Sequence, residues 1–248
     1  MIELKEIILL IMAGFVAGVL NTLAGSGSII TLSLLSFLGL PAHIANGTNR
    51  IGLFVQSSAS SFKFFKQGEL SLKGKFWLFI LTLLGAVLGV FTATILDVES
   101  FELAVGGVFF VLFWVVLFKP QKYIKNSDKV SFYLPVIFSV IGFYAGFIQA
   151  GAGVFMLALM HAGWGKNFTE FNPLKVFIIL LINVLALIGY SLVGQVNWGY
   201  GLLLAIGQIG GALVGVRLNN LKKNVEPIIR ILLLVLILVS VAKFWKLY

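Results

Sequence analysis

The stretch "GFVAGVLNTLAGSGS", Gly14 to Ser28, recurs later in the chain as "GFYAGFIQAGAGV", Gly142 to Val154. Both open on Gly-Phe-x-Ala-Gly, and both end in a glycine-rich break. The copies start 128 residues apart and settle to 126 after a two-residue gap, which sets Gly25 on Gly151. Two further pairs keep the offset of 126: "GELSLKGKFW" from Gly68 with "GQVNWGYGLL" from Gly194, and "GAVLG" from Gly85 with "GALVG" from Gly211. Three matches in order at nearly one offset mark an internal repeat. The chain divides into a first unit over 1–119 and a second over 130–248. A basic linker over 120–129 joins them, within "KPQKYIKNSDK" (Lys119 to Lys129).

The chain is 60% hydrophobic and only 11% charged, with mean hydropathy +1.06. Soluble domains are about half apolar and about a quarter charged, so this composition belongs to an all-α polytopic membrane protein whose lipid bilayer is its solvent. The first apolar run has no small-residue cleavage pattern and reads as a retained helix. There is no cysteine, which removes disulfides, thiol catalysis and thiolate metal sites. The net charge of +9 resides in lysine-rich loops, with no basic, aromatic-interleaved face for nucleic acid.

Apolar runs predict five segments per repeat: about 6–23, 26–40, 43–65, 74–96 and 100–118, then about 132–149, 152–163, 170–192, 197–216 and 227–247. Most approach the roughly 20 residues that cross a bilayer. The second segment of each repeat is short. At about 1.5 Å per residue, a helix over 152–163 covers only about 18 Å. Such broken helices are tolerated at membrane depth where they are buried or line a wet cavity.

The loops 63–75, 119–129 and 217–230 each hold four Lys or Arg. The turn 97–102 holds Asp97, Glu99 and Glu102 with no base, and 193–197 is uncharged. Basic loops belong in the cytoplasm. Corresponding loops then face opposite sides, so the repeats are expected to be inverted, with an odd number of crossings each. Both termini come out extracytoplasmic, which leaves Lys5, Lys243 and Lys246 on the side the rule disfavours.

Inverted repeats with interrupted helices point to a secondary transporter whose site lies between the repeats. The breaks are "NTLAGSGS" (Asn21 to Ser28) and "IQAGAG" (Ile148 to Gly153). Each opens a helix whose free N–H groups and dipole favour an anion. A second stretch, "ANGTNR" (Ala45 to Arg50), carries the first charge after Glu6. At a local offset of 125, Asn49-Arg50 falls on Leu174-Lys175, so each repeat brings one cation to the start of its third segment. An intramembrane cation is costly, and with no acid deep inside either segment (Glu170 is the nearest, at a segment end) a mobile anion is the simplest partner. Arginine suits multi-oxygen anions because its fork binds bidentately.

The expected substrate-binding set is Arg50 and Lys175, with Asn49, Thr48, Ser26, Gly25, Gly27, Ser28, Asn21, Gln149, Gly151, Gly153 and Asn172. Asn46, Gln56 and Asn183 are further neutral donors, and His43 and His161 are candidate proton carriers. Blander readings stand beside these. The cations can snorkel to headgroups from helix ends, the glycines can be helix-packing surfaces, and lone amides are commonly helix–helix glue.

The ordered set "GFVAGVLNTLAGSGSIITLSLL", "ANGTNR", the "GEL" turn and the second copy from "GFYAGFIQAGAG" resembles the TauE/SafE sulfite-exporter family over nearly the whole chain. The resemblance implies a multi-pass transporter of the cytoplasmic (inner) membrane, moving a small sulfur-containing anion such as sulfite or an organosulfonate. No cofactor and no metal is expected; transport would be coupled to H+ or Na+, or run uncoupled down the membrane potential. The family motif positions fall on the Gly25–Ser28 and Gly151–Gly153 breaks, on Thr48-Asn49-Arg50, and on Asn172 to Lys175. The chain departs from the family pattern at Ala24-Gly25-Ser26-Gly27, where members often carry three consecutive glycines. It also departs at Asn172 to Lys175, where a Gly-Thr pair is common. Two alternatives are an anion channel of the same fold and an intramembrane hydrolase using Ser26. The second repeat argues against the hydrolase, since Ala152 stands where Ser26 maps.

Overall fold

The computed structural model describes residues 2–70, 72, 76–118, 128–164, 168–221 and 226–246. Among these residues there are ten helices and no strand: α1 (Leu4–Leu23), α2 (Ser28–Phe37), α3 (Ala42–Lys66), α4 (Phe76–Ile95), α5 (Val98–Phe118), α6 (Asp128–Ile148), α7 (Ala152–Trp164), α8 (Phe168–Leu192), α9 (Trp198–Leu221) and α10 (Glu226–Phe244). Five of them, α1, α4, α5, α8 and α9, are long and apolar enough to cross a membrane over at least part of their length. The basic linker lies mostly outside the described residues.

The breaks fall where glycine was expected. The chain leaves α1 through Gly25 at φ +78 and enters α7 through Gly151 at φ +70, a region closed to most side chains. Gly25 N–H bonds back to Leu20 O at 2.9 Å, which ends α1 in a compact cap. Gln149 holds φ +41 without being glycine, so the second break is the strained one. With 10 and 13 residues, α2 and α7 span about 15 and about 20 Å, short of the roughly 30 Å hydrocarbon core. α2 is shorter than predicted because the glycine turn consumes Gly25 to Gly27 and the chain leaves the helix after Phe37.

α8 corrects the expectation for the second cation. It begins at Phe168 and continues through Pro173, so Asn172-Pro173-Leu174-Lys175 lies inside the helix. Arg50 likewise sits well inside α3. Both cations are about two turns from their helix starts, roughly 10–12 Å along the axis.

Helix α1 packs on α9, α4 on α6, α3 on both α9 and α8, and α10 on α5. Helices α3 and α9 run side by side in the same direction. Thr48 Oγ1 accepts Asn197 N–H at 2.9 Å near one end, and Lys63 Nζ donates to Leu213 O at 3.0 Å near the other. α8 runs against α9, with Asn172 beside Asn219 at the far end of α9. Thus α3 and α8, the third helices of the two repeats, are antiparallel.

The three lysines that the charge rule left on the disfavoured side have local partners. Lys5 pairs with Glu3 at 2.8 Å and Lys246 with Glu99 at 3.9 Å. Lys243 donates to the Ser36 carbonyl at the end of α2, with its ammonium 5.2 Å from the Phe37 ring. In the turn before α5, Asp97 accepts the Ser100 N–H at 2.9 Å, a bond that holds its carboxyl below the usual range.

Candidate functional site

The two breaks meet at the centre of the molecule. A Cβ on Gly25 would lie 2.3 Å from Gly153 Cα, and one on Gly153 would lie 2.5 Å from Gly25 Cα. Only glycine on both sides allows this approach. Gly27 is as confined, with a would-be Cβ 2.1 Å from Ala17 O. Ser28 ties the breaks together: its Oγ contacts Gln149 O at 3.4 Å and accepts the Gly151 N–H at 3.4 Å.

Arg50 and Lys175 flank this crossing, both with 0% exposure. A cation with no exposed surface, two turns inside its helix, does not reach a headgroup layer by snorkelling. Arg50 Nη1 donates to Ala145 O at 2.8 Å and to Gln149 Oε1 at 2.9 Å, and Nη2 donates to Gly146 O at 2.9 Å. Asn183 and Asn46 stand at 3.5 Å, and the Tyr190 ring centre lies 5.4 Å from the guanidinium. Lys175 Nζ donates to Asn21 O and Thr22 O at 3.0 Å each and to Asn172 Oδ1 at 3.1 Å. Each cation therefore caps the last turn of the other repeat's first helix, where free carbonyls concentrate negative potential. Among the described residues no ion pair reaches either one.

A small cavity, about large enough for one water, opens beside the crossing; neither cation lines it, but Gln149 links it to Arg50 and Asn21 to Lys175. Its polar wall is Asn21, Gln56, Ser57 and Gln149, with Gly25 at the crossing and Leu53, Val176 and Ile179 opposite. The predicted residues divide around it. Asn21 bridges two sides: Nδ2 donates to Gln56 Oε1 at 3.0 Å, and Oδ1 accepts the Ser28 N–H at 2.9 Å. The N-terminus of α2, expected to face an anion, is thus capped by a neutral amide here. Gln149 joins the cavity to Arg50. Asn49 accepts from Thr31 Oγ1 at 2.7 Å, and Thr48 serves the 193–197 turn, so both sit beside the cavity and do not line it. Asn172 relays Lys175 to Asn219. Ser26 is buried in the first break.

Two contributors escaped the sequence reading. Tyr190, at 0% exposure, takes a hydrogen bond from Asn46 Nδ2 at 2.8 Å and donates to Phe147 O at 2.9 Å, walling the Arg50 seat. Ser57 turns its hydroxyl to Leu53 O at 2.6 Å. Tyr190 sits in an apolar run with nothing to distinguish it, and Ser57 sits in a run of serines.

Among the described residues, ten helices, nine of them apolar, with two breaks meeting at a central crossing and a buried cation on each flank, define a multi-pass membrane protein with a polar centre. A family model described as Sulfite exporter TauE/SafE matches residues 10–244, and the chain belongs to that family. It is 30% identical over 244 residues to a probable membrane transporter protein, ORF9, of a Sinorhizobium species, covering 94% of this chain and 88% of that one. It is 25% identical over 219 residues to a probable membrane transporter protein of Haemophilus influenzae, covering 86% and 85%. The Bacillus subtilis probable membrane transporter protein YunE matches at 24% over 262 residues, covering 94% and 95%. No solved structure matches. The protein is a membrane transporter.

Proposed function

We propose that the protein is a secondary carrier that moves a small sulfur-containing oxyanion, sulfite or an organosulfonate, across the cytoplasmic membrane by alternating access. The observation that carries this reading is the pair of wholly buried cations, one from each repeat, with no acidic partner among the described residues, beside a cavity that polar side chains wall on one side. Burying two like charges without counter-charge costs several kcal/mol per ion before compensation. An anion between them recovers part of that cost. The anion enters where Asn21, Gln56, Ser57 and Gln149 converge, meeting Arg50 through the Gln149 side and Lys175 through the Asn21 side.

The antiparallel course of α3 and α8 supports an inverted arrangement of units 1–119 and 130–248. The local pairing of Lys5 and Lys246 supports an extracytoplasmic position for both termini, with the loops 63–75, 120–129 and 217–230 in the cytoplasm. In that orientation an inside-negative potential drives a cytoplasmic anion outward by about 2.3 kcal/mol per charge per 100 mV. A cavity the size of one water, closed around by packed helices, favours a carrier over an open channel.

The test is counterflow in proteoliposomes preloaded with unlabelled sulfite. A carrier accumulates labelled sulfite transiently against its gradient, and sulfoacetate or thiosulfate competes. Flux that neither saturates nor shows counterflow contradicts the carrier.

A further inference from the structure

The helices are held by two unlike kinds of contact. The first is backbone on backbone. In the α1–α9 pair, a Cβ on Gly14 would lie 2.5 Å from Leu204 O, and one on Gly211 would lie 2.0 Å from Phe15 O. In the α4–α6 pair, a Cβ on Gly85 would lie 2.0 Å from Ser139 O, and one on Gly146 would lie 2.2 Å from Ala86 O. Each pair joins the first helix of one repeat to the fourth helix of the other. Helix α3 joins α9 through Thr48 and Lys63, and α8 joins α4 where Gly189 meets Val90. The result is two bundles of mixed parentage: α1, α2, α3 and α9 in one, and α6, α7, α8 and α4 in the other.

The second kind of contact crosses between the bundles. Arg50 of the first bundle donates to the α6 carbonyls of Ala145 and Gly146. Lys175 of the second donates to the α1 carbonyls of Asn21 and Thr22. These are side-chain hydrogen bonds, which exchange partners without repacking a backbone; the bundles also meet where α3 packs on α8 and where Gly25 crosses Gly153. Arg50 Nε is buried with no partner, so the Arg50 seat keeps a donor in reserve. Because α3 and α8 are antiparallel, the two seats lie toward opposite faces. Arg50 is on the side of the 193–197 turn, and Lys175 is on the side of Asn219.

We propose that the parts that move during transport are these two mixed bundles, not the two sequence repeats, and that Arg50 and Lys175 are the latches between them. The proposal rests on the carrier reading for the existence of a motion. Opening the Lys175 latch frees one face and opening the Arg50 latch frees the other, so an anion that draws a cation off its carbonyls releases one side at a time. This is rigid-body rocking across a fixed site.

Pulsed electron-spin distance measurements in lipid vesicles, with no anion added, test this separately from transport. The chain has no native cysteine, so nitroxide labels go only where placed. Phe62, Leu88 and Leu202 are 61%, 60% and 55% exposed and accept labels without disturbing the core. The Phe62→Cys/Leu202→Cys pair lies in one bundle but in different repeats. The Phe62→Cys/Leu88→Cys pair lies in one repeat but in different bundles. Lys175→Ala, or Lys175→Met where the alanine variant does not fold, is expected to shift the second distance by more than its parent width and leave the first in place. Arg50→Ala is expected to shift it as well. Movement of the Phe62–Leu202 pair in either variant overturns the mixed bundles. A Phe62–Leu88 distance unchanged in every folded variant overturns the latches. Neither readout depends on which anion is carried, so a protein that fails to move sulfite leaves this result standing.

Discussion

The Arg50 and Lys175 seats occupy matching places in the two repeats, yet they are built differently. Arg50 spreads its fork over two consecutive carbonyls of α6 and the Gln149 amide, under the Tyr190 ring, and still has Nε unused. Lys175 directs its three donors at three acceptors and is saturated. The repeat thus copies the position of a positive charge but not its chemistry. The saturated seat must release an acceptor before it can meet an incoming oxygen, while the unsaturated one keeps capacity for it. A planar fork also cannot be replaced by an ammonium without losing the two-carbonyl grip.

That contrast sets the order of expected effects. Arg50→Ala should be the most damaging change. It removes charge-assisted bonds to two buried carbonyls and an amide, and we expect a loss of about 3–5 kcal/mol in unfolding free energy, with sulfite uptake abolished. Thermal unfolding beside uptake checks this. Lys175→Ala should cost less, about 2–3 kcal/mol, since it loses three bonds where Arg50→Ala also loses the contacts to Asn46, Asn183 and the Tyr190 ring. Equal losses for the two would erase the distinction between the seats. Arg50→Lys should remain well below the parent in uptake, whereas Lys175→Arg should retain more, and the paired rates sharpen the comparison.

Smaller effects follow from the packing around the seats. Gly211→Ala and Gly85→Ala each drive a Cβ to 2.0 Å from a carbonyl oxygen of the facing helix. Both should destabilise by about 1–3 kcal/mol, and by similar amounts if the two helix pairs are equivalent. Gly107→Ala, with nothing within 4 Å of its would-be Cβ, should be neutral in the same melt. The smallest effect is expected for Val90→Cys with Gly189→Cys. The Cβ atoms would stand 3.8 Å apart, close to the disulfide mean of about 3.8 Å. The bond would tie the two repeats together inside one bundle, and oxidised and reduced protein should transport alike.

The helix breaks were legible because glycine at positive φ leaves a mark in the sequence, as at Gly25 and Gly151. So were the cations, because Arg50 and Lys175 interrupt runs whose other charges, Lys63 and Glu170, stand at the ends. Their partners were not legible. The carbonyls of Ala145, Gly146, Asn21 and Thr22 belong to the backbone, and no residue type signals a helix end that waits for a donor. Sequence alone leaves the α2 N-terminus open to an anion, whereas Asn21 folds back to cap it while Gln56 holds the other end of its amide. Glycine stripes announced close helix packing but not which helix faces which, so the exchange of α4 and α9 between repeats emerged only in three dimensions. Gln208, buried between Gly14, Gly18 and Gly52 with both amide atoms unpartnered, had no sequence signal either.

The most direct test of a single anion shared by the two seats is a double-mutant cycle on initial sulfite uptake into proteoliposomes, with parent, Arg50→Ala, Lys175→Ala and the combined variant measured in folded protein. The account predicts that each single change removes most of the uptake and that the double variant is no worse than the poorer single, because both cations serve one ligand. Uptake at the parent rate in either single variant would contradict it.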